Sequence, residues 1–170
     1  MDTIQILQAK DVSVEDYRRL RLEALREEPQ AFGSTHSDQI NLPIEEWQKW
    51  LDKYVEEKNN WMVFAAVDTQ LAGMVGAYQT DEMIENQSVQ IIAMYVPQPA
   101  RGKGVSKLLM RTLLEKLKKA GIKEAVLDVN VDQTTAVNLY KSFGFTIVDT
   151  VTLTLGDGKE HQVHLMKKVW

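Results

Sequence analysis

The spacing of apolar residues changes along the chain, and each change marks an element. Over Thr3–Gln8, Ile4 and Ile6 alternate with polar neighbours, the period-two pattern of a strand. Ser13, with Asp16 three residues on, is an N-cap signature opening a helix that runs to about Arg26. Glu28-Pro29 closes it, because the residue before a proline is pushed out of the α region. Ala31–Asn41 is polar and reads as loop. Pro43 suits a first helical position, and Trp47, Trp50, Leu51 and Tyr54 follow at i, i+3, i+4 and i+7, one helical face.

The pattern then shifts to short continuous runs. Trp61–Val67 and Leu71–Gln79, separated by Asp68-Thr69-Gln70, predict a hairpin. Polar Thr80–Asn86 leads into Val89–Val96, a run too short and too β-branched for a helix. Helical spacing returns over Gly104–Ala120, where Val105, Leu108, Leu109, Leu113 and Leu117 form the stripe and Gly121 is placed as the stop. Glu124–Val129 reads as a buried strand, and Thr134–Phe143 as a short helix ended by Gly144. Thr146–Leu155 and Glu160–Lys167 read as strands joined through Gly156-Asp157-Gly158. The order β-α-α-β-β-β-α-β-α-β-β, with no repeat or linker, predicts one mixed α/β domain over residues 1–170.

Composition narrows the chemistry more than the fold. At 44% apolar and 26% charged, the 170 residues match a globular chain rather than a disordered or fibrous one. Cysteine is absent, which removes disulfides, a thiolate nucleophile, Cys-ligated zinc and iron–sulfur clusters. His161 and His164 stand an odd number apart on a strand, hence on opposite faces, and His36 is alone in a loop, so no metal is expected. The N-terminal residues show no apolar signal-peptide core, and Trp61–Val67 and Ile91–Val96 fall far short of the ~20 residues of a membrane span. No membrane association and a cytoplasmic location are therefore expected.

A net charge of −4 argues against nucleic acid as a partner. The charge is uneven, however. Pro97–Gly121 carries Arg101, Lys103, Lys107, Arg111, Lys116, Lys118 and Lys119 against the single acid Glu115, whereas acids outnumber bases over Asp11–Asn60. The basic segment suits a polyanionic small molecule, and the acidic one gently favours a cationic amine; a solvated helix face is the plainer account of the former.

The basic segment also has the local form of a phosphate site. The run ending at Val96 feeds Pro97-Gln98-Pro99-Ala100-Arg101-Gly102-Lys103-Gly104 into a helix. First-turn amides there lack partners and the helix dipole is positive, so an anion is favoured. Gly102 and Gly104 let the backbone approach it, Arg101 and Lys103 add charge, and Ser106 offers a hydroxyl. A Walker A loop is excluded because Gly104 follows Lys103, and a dinucleotide fingerprint because Lys107 stands where its third glycine belongs.

Two blocks in register carry a resemblance. Tyr95-Val96-Pro97 through Arg101-Gly102-Lys103-Gly104-Val105-Ser106-Lys107-Leu108-Leu109, then Ala136-Val137-Asn138-Leu139-Tyr140-Lys141-Ser142-Phe143-Gly144-Phe145, resemble the signature of the GCN5-related N-acetyltransferase (GNAT) superfamily. Arg26–Ser34 is also similar to the N-terminal region of bacterial single-domain members. The resemblance implies a GNAT fold, an α/β (α+β) architecture with a mixed, mostly antiparallel central sheet flanked by helices and splayed between its fourth and fifth strands. It implies acetyl-CoA as cosubstrate, with the pyrophosphate on the amides of Arg101, Gly102, Lys103, Gly104, Val105 and Ser106. The pantetheine arm would follow the backbone at Met94, Tyr95 and Val96. Gln133, standing where the family often has asparagine, and Asn138 are further contacts, with Asn130 a polar candidate nearby. Tyr140 would protonate the departing thiolate, and backbone N–H near Met94–Tyr95 would polarise the carbonyl.

The sequence departs from the family at Pro99, which offers neither a side-chain donor nor an N–H, and it has no glutamate in Val89–Val96 to act as base; only Gln90 is there, and Glu82 and Glu85 precede it. Without the resemblance, Tyr140 beside Leu139, Phe143 and Phe145 is ordinary packing, and the Trp47 stripe is core; within it, Trp50 or Tyr54 would line the acceptor cleft. The expected activity is acetyl transfer from acetyl-CoA to a primary amine of a small molecule or protein by direct attack in a ternary complex. A non-catalytic module sensing CoA or a metabolite is the rival, and an unrelated nucleotide-binding domain the third reading. Oligomeric state stays open between monomer and homodimer.

Overall fold

A computed structural model describes residues 2–170. Seven strands form one sheet in the order β1-β2-β3-β4-β5-β7-β6, and every neighbouring pair is antiparallel except β4–β5. The strands are β1 (Ile4–Gln8), β2 (Asn60–Val67), β3 (Gln70–Tyr78), β4 (Ser88–Tyr95), β5 (Glu124–Asn130), β6 (Thr146–Thr154) and β7 (Glu160–Val169). The helices are α1 (Val14–Glu27), α2 (His36–Gln39), α3 (Ile44–Glu56), α4 (Asp81–Glu85), α5 (Val105–Lys119) and α6 (Thr134–Ser142).

The continuous apolar runs have a direct cause: the centre of the sheet is covered on both faces. In β2, Val63 and Ala65 join the core beneath α5, while Met62 and Phe64 join the core of α1 and α3. A strand buried on both sides has no polar face to show. The expected caps also form. The Ser13 hydroxyl accepts from the Asp16 amide at 3.1 Å, and Gly121 stands past α5 at φ +83°. Pro43 sits one position earlier than expected, at the N-cap of α3.

Two short helices lie where the sequence reads as polar connection. The Thr35 hydroxyl caps α2 through the Asp38 amide, and the Thr80 hydroxyl caps α4 through the Met83 amide. Neither buries an apolar stripe, so periodicity does not reveal them. Among the described residues no helix is long and apolar enough to cross a membrane.

Candidate active site

The cofactor side of the site begins where β4 and β5 part. Their parallel pairing covers only Ser88, Val89 and Gln90 against Glu124, Ala125 and Val126. Beyond Gln90 the β5-facing edge of β4 has no strand partner, so its remaining amides and carbonyls face an opening. On its other edge β4 is irregular. Tyr95 pairs with Met74 and Ile92 with Gly76, so Ala93 and Met94 together oppose Val75 alone. This is a β-bulge, and Ala93 takes φ +59° within it. A non-glycine residue in the left-handed region is strained, and bulges of this kind re-aim backbone groups at functional sites. Met94, Tyr95 and Val96 thus lie at the point where the sheet opens.

The loop after β4 is shaped for an anion. One 3₁₀ turn, Gln98–Ala100, carries the chain to Gly102 (φ +76°) and Gly104 (φ +86°). The first bond into α5 runs from the Leu108 amide to the Gly104 carbonyl at 3.1 Å. The amides ahead of it, from Gly102 through Val105 and Ser106 to Lys107, have no backbone acceptor among the described residues. A Cβ built on Gly102 or Gly104 would meet no atom within 4 Å, so the loop is open to a ligand.

Two cations expected to face that anion are otherwise engaged. The Arg101 Nε donates to the Val96 carbonyl at 2.9 Å, while its Nη2 forms an ion pair with Glu28 at the end of α1. Lys103 pairs with Asp2. Half-exposed surface pairs of this kind contribute ~0–1 kcal/mol, so an incoming phosphate can exchange with them. Glu28 therefore links the end of α1 to the phosphate loop, a connection the sequence does not show.

Replacing Gly104 with valine tests the loop. A β-branched residue at φ +86° is strained on the order of 1–3 kcal/mol, and its side chain projects into the open space. Acetyl-CoA affinity is expected to fall about 10–100-fold, with a loss of only a few degrees in Tm; a titration showing wild-type affinity would remove the loop from the site.

Tyr140 on α6 is 7% exposed, with its ring edge-on to Phe145 at a centroid distance of 6.1 Å. Burial raises its pKa, and its phenol stays protonated across the neutral range. The side chain of Gln133, at the N-cap of α6, makes no capping bond, and Asn138 is exposed. Asn130 has a different use. Its amide nitrogen lies 3.1 Å from the Gln30 carbonyl and from His161 Nδ1, and its oxygen accepts from the Asp132 amide. His161 in turn reaches Asp157 at 2.8 Å, and the Gly156 amide donates to the Phe32 carbonyl at 2.7 Å. Asn130 thus fastens the β6–β7 turn to the loop after α1, and its amide is not free for a cofactor.

On the opposite face of β4, beside the bulge, is a pocket of about 270 Å³. Trp50 and Tyr54 line it, while Trp47 and Leu51 are buried in the core, so the predicted stripe splits between packing and site. Tyr17, Arg21, Gln39, Lys53, Asn60, Met62, Met74, Tyr78, Ile92 and Ala93 complete the lining, with no carboxylate among them. The acids of Asp11–Asn60, which in the sequence favour a cationic amine, thus contribute nothing to this lining, and Glu23 and Glu28 bond instead to the Tyr95 hydroxyl and to Arg101.

One carboxylate does approach from β5. Gln90 and Val126 are the last paired positions, and alternation puts Ile92 and Asp128 two residues on, facing the same side. Ile92 lines the pocket, and Asp128 shares its face of the sheet while standing outside that lining. Asp128 is exposed, and desolvation by the atoms around it raises its carboxyl above the ordinary value, against a lowering by the Gln90 amide beside it. An acid in the otherwise apolar Ala125–Val129 run is the signal that marks it in the sequence.

The profile of the Acetyltransferase (GNAT) family matches residues 18–145, and the chain belongs to that family. It is 31% identical over 93 residues to human N-acetyltransferase 8, a match covering 54% of this chain and 41% of that protein. It is 32% identical over 93 residues to human N-acetyltransferase 8B, again covering 54% and 41%. The matched region thus spans well under half of these relatives. Among solved structures, an acetyltransferase of the GNAT family from Streptococcus pneumoniae superposes with a TM-score of 0.78 at 23% identity, covering all of both chains. A Salmonella typhimurium protein whose structure holds its cofactor acetyl-CoA gives 0.79 at 15% identity, covering 99% of this chain and 94% of that one. At these identities the structures establish the fold, which is the GNAT fold expected from the sequence.

Proposed function

We propose that this chain is a single-domain, acetyl-CoA-dependent N-acetyltransferase acting on a primary amine in a ternary complex. The observation that carries it is the meeting, at one bulge, of three features: the unpaired edge of β4, the phosphate loop and a polar pocket on the far face of the strand. Acetyl-CoA would lie with its pyrophosphate on the amides of Gly102–Ser106, the expected Arg101 amide being taken by the Gln98 carbonyl at 3.1 Å, and its pantetheine along Met94–Val96. The thioester then reaches the bulge, and the amine comes from the pocket.

Each step has a residue. Asp128 takes a proton from the ammonium, leaving a nitrogen lone pair to attack the thioester carbonyl. Backbone N–H at the Ala93–Met94 bulge stabilises the developing oxyanion. As the C–S bond breaks, the Tyr140 hydroxyl gives its proton to the thiolate sulfur, and the second proton, shed by the acylated nitrogen, passes through solvent to restore the phenol.

Thiol release from acetyl-CoA, assayed with a panel of amines, tests the reading; binding of acetyl-CoA without amine-dependent release would favour the sensing module instead. Acetyl-CoA at a hundredfold excess over Kd is expected to stabilise the fold by ~2.7 kcal/mol, whereas NAD and ATP leave Tm unchanged. A thermal-shift titration with no response to millimolar acetyl-CoA would overturn the cofactor assignment.

A further inference from the structure

We infer that the acceptor is a small amine that also carries a carboxylate, of the α-amino-acid type, and that Arg21 binds that carboxylate in the pocket beside the β4 bulge. The inference rests on the acetyltransferase reading and names its substrate class.

Arg21 is a half-buried cation without a counter-charge. Seven ion pairs form among the described residues, and neither Arg21 nor Lys53 takes part in any of them. The titratable groups near enough to act on Arg21 are two phenols, Tyr17 and Tyr54. Burial lowers its pKa, which still leaves a guanidinium charged at neutral pH. Its carbon lies 5.2 Å from the centroid of the Phe32 ring. Stacking on an aromatic face fixes the guanidinium plane and leaves its N–H edge for a ligand. A half-buried cation with no counter-charge is unfavourable by itself. It fits a site in which the ligand brings the anion, because a guanidinium fork matches a carboxylate with two parallel bonds.

The rest of the pocket agrees. Gln39 Oε1 is buried there with no partner and can accept an N–H from the same ligand. Exposed Lys53 adds a second positive charge at the rim, which attracts an anion and disfavours a polycationic acceptor. The volume of about 270 Å³ lies just under the range of drug-sized sites and suits an acceptor of amino-acid size. With its carboxylate on Arg21, an α-amino acid has its amine one carbon away, within the pocket that Ala93 of the bulge also lines.

The test uses matched sets: an L-amino acid, its α-amide and the corresponding decarboxylated amine, for several side chains, assayed by thiol release with the full chain. The acid is expected to exceed its amide and its amine by about 10–100-fold in kcat/KM, the range of a charge-assisted bond pair. In Arg21→Met the acid-to-amide ratio should collapse toward one, and Arg21→Lys should restore part of it, with acetyl-CoA affinity as wild type. Should the Met variant fail to fold, the wild-type ratio and the Lys variant decide. Amides or decarboxylated amines turned over as well as the acids by the wild type would overturn the proposal while leaving the acetyltransferase reading intact. A parallel thermal-shift arm compares an N-acetyl amino acid with its amide in the presence of CoA. Carboxylate-dependent stabilisation that is lost in Arg21→Met, with no turnover of any amine, would overturn the enzyme reading and keep the subsite.

Discussion

Tyr140→Phe is expected to lower kcat and kcat/KM together by about 10²-fold, with acetyl-CoA affinity and Tm close to wild type. The ring is 7% exposed within the core beneath α5, so its phenyl surface packs equally well with or without the hydroxyl. No hydrogen bond to the phenol forms among the described residues, so its removal orphans no partner. On the proposed mechanism the hydroxyl matters only where a proton is needed, at the departing sulfur. An interaction made mainly in the transition state is lost from kcat and kcat/KM alike. General-acid contributions run at ~10²–10⁴-fold, and a thiolate leaves readily, which places the effect at the low end. The raised pKa keeps the phenol protonated, so the acid should show no titration of its own across the neutral range. A fully active Phe variant would return Tyr140 to the role of packing alone.

The cofactor half of the site is legible in the sequence because it is local. A strand, a glycine-containing loop and a helix start are contiguous over Tyr95–Leu109, and each has a signature in residue type. The acceptor half is not, because it is assembled from α1, α2, α3, β2, β3 and β4. Arg21 looks like any arginine on a polar helix face until α3 and the loop holding Phe32 close over it. Gln39 sits on a four-residue helix with no apolar spacing to announce it. The bulge carries no glycine or proline at Ala93, so nothing in the run Val89–Val96 distinguishes it from a regular strand. Charge misleads for a related reason: counting acids over Asp11–Asn60 averages the surface, while the pocket lined by α1, α2 and α3 holds none of them.

Asp128→Asn should reduce kcat/KM by about 10²-fold at neutral pH, the lower part of the range for a lost general base. The variant keeps shape and hydrogen bonding and loses only the capacity to accept a proton. In the wild type, activity should climb with pH through the raised Asp128 pKa and then level, since the deprotonated carboxylate is the active form. In the Asp128→Asn variant this limb should move to higher pH, where the free amine supplies its own deprotonated fraction. Stability separates this from a structural defect. A carboxyl raised in the folded state favours folding when protonated, and that contribution is lost as pH rises through the folded pKa. At neutral pH Asp128 therefore contributes no stability through its charge, and the variant should melt at or slightly above the wild-type temperature. A carboxyl whose proton affinity is raised in the folded state is what the proposed base requires. An unchanged pH profile in the variant, with rates near wild type, would transfer the proton to water and leave Asp128 a bystander at the cleft.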